Sequence, residues 1–207
     1  MPKKAGAKPD PSTRILEAGL AIAARGEWRQ AGLAAIAVEA GLPLSEVYAY
    51  FPSKLALLDA FTREIDLQSV QGSEDGEGEP TRDRLFDILM RRFDALAPHK
   101  PAVAMLLREA RRDPMMIAGG GAALLRSMAL TLEASGMSSA GLRAMLRAKL
   151  LGALYLSVLK TWLADDSADM RQTMAILDRR LRGAAPWLGL PRDNAAAKSA
   201  GESPSPS

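Results

Sequence analysis

The chain is predicted to be all-α, with an N-terminal three-helix head followed by a larger helical body. Apolar residues recur at intervals of three and four along most of the sequence, which is the spacing of one helix face. No stretch alternates apolar and polar residues for long enough to predict a strand. Hydrophobic residues make up 48% of the 207 residues and charged residues 25%, as in ordinary soluble globular proteins.

Capping residues, glycines and prolines predict the helix boundaries in the head. Ser12 is the expected N-cap of the first helix, and Gly26 is its expected end. A second helix is expected from about residue 30 to 40, and a short third helix over Leu44–Tyr50. Pro52 is the expected first residue of a fourth helix, because proline is favoured at that position.

The body is expected to contain five helices. Thr81 is the expected N-cap of the first, and a long fourth helix is expected from about residue 140 to 163. Gly119–Gly121 lacks the lysine and hydroxyl residue of a phosphate-binding loop, so we interpret it as a flexible joint between helices. The segment Asp165–Ser167 predicts a turn and a cap before the last helix.

Composition predicts five segments along the chain: a disordered basic tail (1–11), the helix-turn-helix head with its connecting helix (12–70), an acidic linker (71–80), a ligand-binding and dimerisation domain (81–190) and a disordered tail (191–207). Residues 14–54 carry four basic and four acidic side chains, whereas residues 81–190 carry 17 basic and 10 acidic ones. A DNA-binding head is usually the basic part of a protein. The tail lysines (Lys3, Lys4 and Lys8) either give this neutral head a basic arm or only increase solubility.

Residue content excludes several classes of function. The chain has no cysteine, which excludes disulfides, thiol catalysis and iron–sulfur clusters, and its single histidine, His99, excludes a multi-histidine metal site. We therefore predict no enzyme activity, no metal and no cofactor. The N-terminus lacks a secretory segment, and the longest apolar run, Leu150–Leu159, is about half of the ~20 residues that a membrane span needs, so a cytoplasmic location is expected.

The segment from Ile36 to Lys54 carries the strongest functional signal. Ile36–Gly41 predicts the end of one helix, and Leu44–Tyr50 predicts a second helix after a turn that contains Pro43. Two short helices joined in this way form a helix-turn-helix, which places its second helix in the major groove of DNA. The sequence therefore predicts that the chain binds double-stranded DNA.

This segment resembles the Tet repressor (TetR) family of transcriptional regulators. The matching residues are Ile36, Ala37, Ala40, Gly41, Val47, Tyr48, Tyr50, Phe51, Lys54 and Leu57. The resemblance implies a DNA operator as partner, a homodimer formed by the last two body helices, and an apolar ligand pocket in each body. It also implies that Tyr48, Tyr50 and Lys54 contact DNA phosphates, whereas Val47 and Phe51 are expected in the core of the head.

The predicted DNA-contacting set comprises Arg29, Leu44, Ser45, Glu46, Tyr48, Ala49, Tyr50 and Lys54. It departs from the family pattern at Gly32, Ala34 and Ala35, which offer no side-chain hydrogen bond. Glu46 has the same sign of charge as phosphate, unless it accepts a hydrogen bond from a cytosine amino group. Direct base contacts are therefore left to Ser45, Ala49 and Arg29.

The C-terminal part of the chain is similar to a second family, the accessory proteins of ubiquinone biosynthesis. The shared residues are Asp165, Ser167, Asp169, Met170, Thr173, Met174, Leu177, Asp178, Arg179, Arg180 and Leu181. This resemblance implies a TetR-type fold that binds lipids or isoprenoid precursors and does not recognise a DNA sequence.

Nine of the ten methionines lie at or after Met90. Methionine adapts to varied apolar shapes, so the body is predicted to hold a small apolar effector, with a lipid or an isoprenoid among the options. The predicted lining residues are Met105, Leu124, Met128, Tyr155 and Trp162. An ordinary helical core that uses methionine is the alternative interpretation.

The last helix is predicted to present one apolar stripe, formed by Met170, Met174, Leu177 and Leu181. The stripe is either a dimer seam or, with its surrounding arginines and Trp187, a surface that docks on an anionic membrane. Two functions therefore remain open. The first is a ligand-responsive regulator of the TetR type, expected to act as a repressor, and the second is a lipid-binding accessory protein on the same fold.

Overall fold

The computed structural model describes residues 10–73, 78–138 and 140–190. Most of the two predicted tails and part of the acidic linker lie outside these ranges. The described residues form nine α-helices and no strand, which confirms the predicted all-α class. The helices are α1 (Pro11–Ala24), α2 (Leu33–Ala40), α3 (Leu44–Tyr50), α4 (Lys54–Val70), α5 (Thr81–Leu96), α6 (Lys100–Ala110), α7 (Pro114–Ala134), α8 (Gly141–Ala164) and α9 (Arg171–Leu188), with a 3₁₀ turn at Ala97–His99.

The helices are grouped into two compact units. The first contains the chain up to Gln68 together with Arg92–Ser127, and the second contains Ser69–Arg91 and everything after Ser127. In the first unit, α1 packs against α2, α3 and α6. In the second unit, α8 and α9 pack against each other along their length.

The core of the head is built from side chains of four helices. Ile15, Ile36, Val47 and Leu57 are fully buried, and Phe51 is nearly so. Burial of a large aliphatic side chain contributes about 1.5–3 kcal/mol, so these contacts are the main source of stability for three helices that are short on their own. The predicted core placement of Val47 and Phe51 is confirmed.

Three predicted helix starts in the head are corrected by the structure. The N-cap of α1 is Asp10 and not Ser12, because Pro11 already occupies the first turn. Helix α2 begins at Leu33 rather than near residue 30, since Gln30 and Ala31 donate their amides to Glu27 in a turn. Helix α4 begins at Lys54 and not at Pro52, because the Ser53 hydroxyl accepts the amide proton of Ala56 at 3.1 Å and caps the helix.

Helix α7 corrects the interpretation of Gly119–Gly121 as a joint, since all three glycines are helical. The Asp113 carboxylate accepts the amide protons of Met115 and Met116, which caps α7 six residues before the first glycine. The apolar residues on both sides then continue one helix of 21 residues. Among the described residues, only α7 is long and apolar enough to cross a membrane by length and composition, which is weak evidence because core helices pass the same test.

A buried polar cluster joins three helices of the first unit. The Arg92 guanidinium donates to the carboxylate of Asp66 and, at 3.3 Å, to the hydroxyl of Ser127. Ser127 in turn donates to Asp66 at 2.8 Å, and all three residues are buried. Because each charge is matched by a partner, the cluster fixes α4, α5 and α7 to one another without an uncompensated buried charge.

The turn between α8 and α9 is organised by Asp165. Its carboxylate accepts hydrogen bonds from the hydroxyl and amide of Ser167 and from the amide and hydroxyl of Thr173. These bonds, with that from the Ser167 hydroxyl as the largest cause, hold the pKa of Asp165 well below its usual range. Met170, expected inside the last helix, instead precedes α9 in the left-handed region at φ 48°. Thr173, the third residue of α9, is the first buried residue of the helix.

We expect Asp165→Ala to lower the melting temperature at pH 7 by several degrees, because the turn before α9 loses the acceptor of four hydrogen bonds. A depressed native pKa stabilises the fold at every pH above the unfolded value of about 4, and the benefit is lost as the pH falls below it. The difference between wild type and variant, measured by thermal unfolding, should therefore shrink below about pH 4. Asp87→Ala, which removes an exposed carboxylate, is the control and should leave the melting temperature unchanged. A difference in melting temperature that stays constant down to pH 2 would contradict a depressed pKa of Asp165.

Candidate nucleic-acid interface

The helix-turn-helix is formed by α2, the turn Gly41–Pro43 and α3. Gly41 ends α2 at φ 63°, a left-handed conformation that glycine adopts without the strain of a side chain. Pro43 is extended and precedes α3, whose seven residues place Val47 inward and the residues before and after it outward. The turn chemistry therefore sets which face of α3 is exposed.

The exposed face of α3 carries most of the predicted DNA-contacting residues. Tyr48 is 61% exposed and Tyr50 is 45% exposed, while Leu44, Ser45 and Ala49 are also exposed. Tyr hydroxyls and the Ser45 hydroxyl can donate hydrogen bonds to phosphate or to base edges. Helix α3 alone therefore places these five predicted residues on one exposed surface.

Glu46 has a local role that does not involve DNA. It lies in the first turn of α3 and is half-buried. A carboxylate in the first turn interacts favourably with the positive end of the helix dipole. Glu46 therefore stabilises the start of a short helix, and its exposed surface is smaller than that of its neighbours Ser45 and Tyr48.

Lys54 is directed into the head. Its ammonium donates hydrogen bonds to the carbonyl oxygens of Trp28 at 2.6 Å and of Ala31 at 2.7 Å. It also lies 5.1 Å from the centroid of the Trp28 ring, within the range of a cation–π contact. Burial lowers the pKa of Lys54, and the nearby Asp113 carboxylate acts in the opposite direction. At least two of its three N–H groups are used to hold the loop between α1 and α2.

Two arginines of the head are also engaged inside the molecule. Arg14 donates to the carbonyl oxygens of Ala40, at 2.6 Å, and of Gly41, at the C-terminal end of α2. Arg25 donates to both carboxylate oxygens of Glu39 at 3.0 Å, which lowers the pKa of Glu39. Both arginines therefore stabilise the packing of α2 in the head.

Arg29 is the remaining base between Arg14 and Lys54. It is exposed in the α1–α2 loop and makes no hydrogen bond or ion pair with any residue that the structure describes. Arg29 is therefore the head cation best placed to contact a phosphate.

Exposed apolar surface on α2 extends the interface beyond the predicted set. Val38 is 83% exposed, and Ala34 and Ala35 are exposed on the same helix. Val38 was missed because a β-branched residue at helical spacing is usually assigned to a core. No side chain of Ala34, Ala35 or Val38 can form a hydrogen bond, so contacts from α2 are limited to backbone amides and apolar packing.

The five predicted effector-pocket residues are divided between the two units. Met105 and Leu124 belong to the first, and Met105 packs its methyl group close to Gly26. Met128, Tyr155 and Trp162 belong to the second and are buried. Their assignment to a ligand pocket stays a prediction.

The predicted stripe on the last helix is corrected for two of its members. Leu177 and Leu181 are buried within the chain itself, because this face of α9 packs on α8. Neither side chain is available to a dimer partner or to lipid. The exposed surface lies elsewhere, on Trp187 of α9, which is 79% exposed, and on a face of α8 that carries Leu142, Met145, Leu146 and Leu156.

Both units carry surface clefts. A cleft of about 530 Å³ runs between α8 and α9 and is lined by Leu150, Leu154, Arg180 and Trp187, among others. In the first unit, a cleft of about 220 Å³ lies beside Arg29 and Lys54, and another of about 340 Å³ lies between α4 and α7. Among the described residues, no group of three or more histidine or acidic side chains is arranged to hold a metal ion.

Comparison with known proteins supports the interpretation of the head. The family model described as bacterial regulatory proteins, tetR family, matches residues 15–61, which hold most of α1, all of α2 and α3 and the first half of α4. No curated protein sequence matches the chain. The matched segment contains every residue of the predicted DNA-contacting set.

Solved structures share the fold over most of the chain. A TetR transcriptional regulator from Nitrosomonas europaea is 23% identical, with 85% of this chain and 99% of that chain covered and a TM-score of 0.70. The fatty acid degradation regulator FadR from Bacillus halodurans is 19% identical (85% and 96% covered, TM-score 0.60). Thermus thermophilus FadR, a TetR-family repressor solved with lauroyl-CoA, is 18% identical (95% and 99% covered, TM-score 0.59).

The class defined by these findings is a TetR-type helix-turn-helix domain on a TetR-type helical fold. The similarity of the C-terminal part to ubiquinone-biosynthesis accessory proteins is not shown by any of these comparisons. The comparisons therefore support a TetR-type N-terminal domain and a TetR-type fold.

We expect Lys54→Ala to lower the free energy of unfolding by about 1–3 kcal/mol, because two loop carbonyls lose their charged donor. Chemical denaturation measures this change. Lys160→Ala, which removes an exposed lysine of α8, is the control and should change stability by less than about 0.5 kcal/mol. Unchanged stability combined with a loss of DNA binding would show that Lys54 serves as a phosphate ligand instead.

Proposed function

We propose that the chain is a ligand-responsive, DNA-binding transcriptional regulator of the TetR type that acts as a repressor. The observation that carries this proposal is the exposed face of α3. Tyr48 and Tyr50 stand outward on a helix whose inner side is locked by Val47 and Phe51. Two exposed tyrosines on the second helix of a helix-turn-helix are difficult to explain by packing, whereas they suit contact with DNA.

In this proposal, contacts to phosphate and contacts to bases come from different residues. Tyr48, Tyr50 and Arg29 hold the phosphates and set the register of α3 in the major groove. Ser45 and Ala49 face the bases, where a hydroxyl can bond to either base edge and a methyl group can pack on thymine. Leu44 and Val38 add apolar contacts at the rim.

The proposed active species is a homodimer that joins the exposed faces of α8 and α9. Leu142, Met145, Leu146 and Leu156 lie on one side of α8 and stay exposed in the single chain. Trp187 of α9 stands beside the cleft between the two helices. A self-complementary interface of this kind buries an aromatic anchor and aliphatic side chains, as stable interfaces do.

The proposed effector is a small apolar molecule that shifts the equilibrium between two arrangements of the DNA-binding heads. The lauroyl-CoA bound to Thermus thermophilus FadR suggests an acyl chain as the apolar part. We propose a cytoplasmic location, as is general for such regulators.

A lipid-binding accessory protein is the second candidate. It is favoured by Trp187, which is 79% exposed and lies close to Arg179 and Arg180 at the cleft between α8 and α9. An exposed tryptophan beside arginines suits an anionic membrane surface. Co-sedimentation with liposomes that contain anionic lipid tests this candidate, and binding that is lost in Trp187→Ala without any sequence-selective DNA binding would favour it.

DNA binding should be saturable and sequence-selective, and Tyr48→Ala and Tyr50→Ala should each weaken it by about tenfold, the loss of ~1.4 kcal/mol per phosphate contact. Fluorescence anisotropy on genomic fragments that include the protein's own promoter measures this. Leu67→Ala, on an exposed position of α4 away from α3, is the control. Non-selective binding that neither tyrosine variant changes would contradict the regulator.

Dimer formation should be lost in Leu146→Glu and in Trp187→Glu, because each substitution buries a charge in the proposed apolar interface. Sedimentation velocity should show a mass near twice 22.1 kDa for the wild type and near 22.1 kDa for both variants. Leu67→Glu places the same charge on another exposed leucine and should remain dimeric. Dimers in all three variants would rule out this interface.

A further inference from the structure

Two clefts of the first unit lie next to each other, and we call them together the α4–α7 groove. The cleft beside Arg29 and Lys54 and the cleft between α4 and α7 share Leu55 and Met116 in their walls. Their volumes are about 220 and 340 Å³. The larger cleft lies in the range of roughly 300–1,000 Å³ that is typical of small-molecule sites.

The other end of the groove is open along α7, where the exposed Gly119 and Gly120 carry no side chain. A methyl group added at Gly120 would meet no atom within 4 Å, and one added at Gly119 would come only to 3.9 Å from Leu55. Leu58 and Ala123 belong to the apolar part of this wall, and its polar part is formed by Thr62 and by Asp59, which is paired with Arg126. The space along the glycines has the chemistry of a site for an aliphatic chain.

The outer end of the groove carries three basic and two acidic side chains, an excess of one positive charge. Arg29, Lys54 and Arg112 face it, together with the acids Glu109 and Asp113. The Asp113 carboxylate already accepts two amide protons at the start of α7. Lys54 is committed to the loop carbonyls of the head, so the remaining donors are the two guanidinium groups.

Both guanidinium groups remain accessible to a ligand. Arg112 forms a long ion pair with Glu109, at 4.0 Å, but its side chain is 71% exposed. Arg29 has no partner among the described residues. A guanidinium binds a carboxylate or a phosphate through two parallel hydrogen bonds, so an anion at this end would be recognised by both its charge and its shape.

We propose that the α4–α7 groove binds a single-chain amphiphile with an anionic head group. Its aliphatic chain lies over Gly119 and Gly120, and its head group is held by Arg29 and Arg112. Because Arg29 is also the free cation of the DNA-contacting head, the ligand and a DNA phosphate compete for one side chain. This regulatory half of the proposal rests on the proposed DNA-binding function, whereas ligand binding does not.

Competition of this kind makes the coupling reciprocal: a ligand that weakens DNA binding by a given factor is itself weakened by DNA to the same extent. Fatty carboxylates and lipid phosphates share the required chemistry. Dodecanoate and dodecyl phosphate therefore serve as the two probes, and dodecanol serves as the uncharged probe with the same chain.

The first experiment measures binding of the three probes to the full chain by isothermal titration calorimetry, below their micelle-forming concentrations. We expect both anions to bind at least about tenfold more tightly than dodecanol, and the tighter of the two identifies the source as a fatty acid or a lipid phosphate. Arg112→Gln should remove most of the preference for an anion. Equal affinity for dodecanol and both anions would overturn the assignment of the cationic end.

A matched pair of variants tests the position of the chain. Gly120→Leu fills the groove, whereas Gly121→Leu makes the same change one residue further along α7, at a glycine that does not line it. Both should keep the wild-type melting temperature or raise it, because leucine is a better helix former than glycine. Probe binding should fall at least about tenfold in Gly120→Leu only. Equal binding in both variants would overturn the site.

The second experiment adds DNA. In the wild type and in Gly121→Leu, the tighter anion should weaken operator binding several-fold, and in Gly120→Leu it should have no effect while DNA affinity stays unchanged. Probe binding without any DNA binding would contradict the regulator and leave the groove established. Selective DNA binding with no probe bound in calorimetry would contradict the groove and leave the regulator established.

Discussion

The pair of hydrogen bonds from the Lys54 ammonium to the carbonyl oxygens of Trp28 and Ala31 fixes the geometry on which the head depends. Carbonyl groups removed from water must find a donor, and the α1–α2 loop has no helix or strand to supply one. Lys54 supplies it from the first residue of α4. Helix α2 begins two residues after Ala31, so the placement of the helix-turn-helix on α4 follows from this contact.

Three of the four basic side chains from Arg14 to Lys54 are engaged inside the head and are not free to bind phosphate. Arg14 neutralises the end of α2, Arg25 is paired with Glu39, and Lys54 holds the loop. In the proposed complex with DNA, phosphate contacts are then left to hydroxyl groups and to Arg29. Since the salt dependence of DNA binding follows the number of phosphates that cations neutralise, we expect a shallow dependence and a large relative contribution from one arginine.

The helical class, the order of the helices and the helix-turn-helix follow from the sequence because apolar spacing, Gly41 and Pro43 act locally. The direction of Lys54 does not, because its partners are carbonyl groups 23 and 26 residues away. Leu177 and Leu181 show a similar limit: periodicity reveals that α9 has an apolar face but not whether α8 or a partner covers it. Gly119–Gly121 is helical because the neighbouring apolar residues and the Asp113 cap outweigh a local cost of about 1 kcal/mol per glycine.

Because each glycine destabilises α7, the presence of three of them in this helix calls for an explanation. Glycine in a helix is usually explained by close packing, yet a methyl group at Gly119 would make only ordinary contact, and one at Gly120 would make none. Alanine would therefore fit at both positions and would stabilise α7. A side chain larger than alanine at either position would instead occupy the proposed groove. Nothing in the structure explains Gly121, whereas Gly119 and Gly120 line the proposed groove, which ends at the only head arginine left without a described partner.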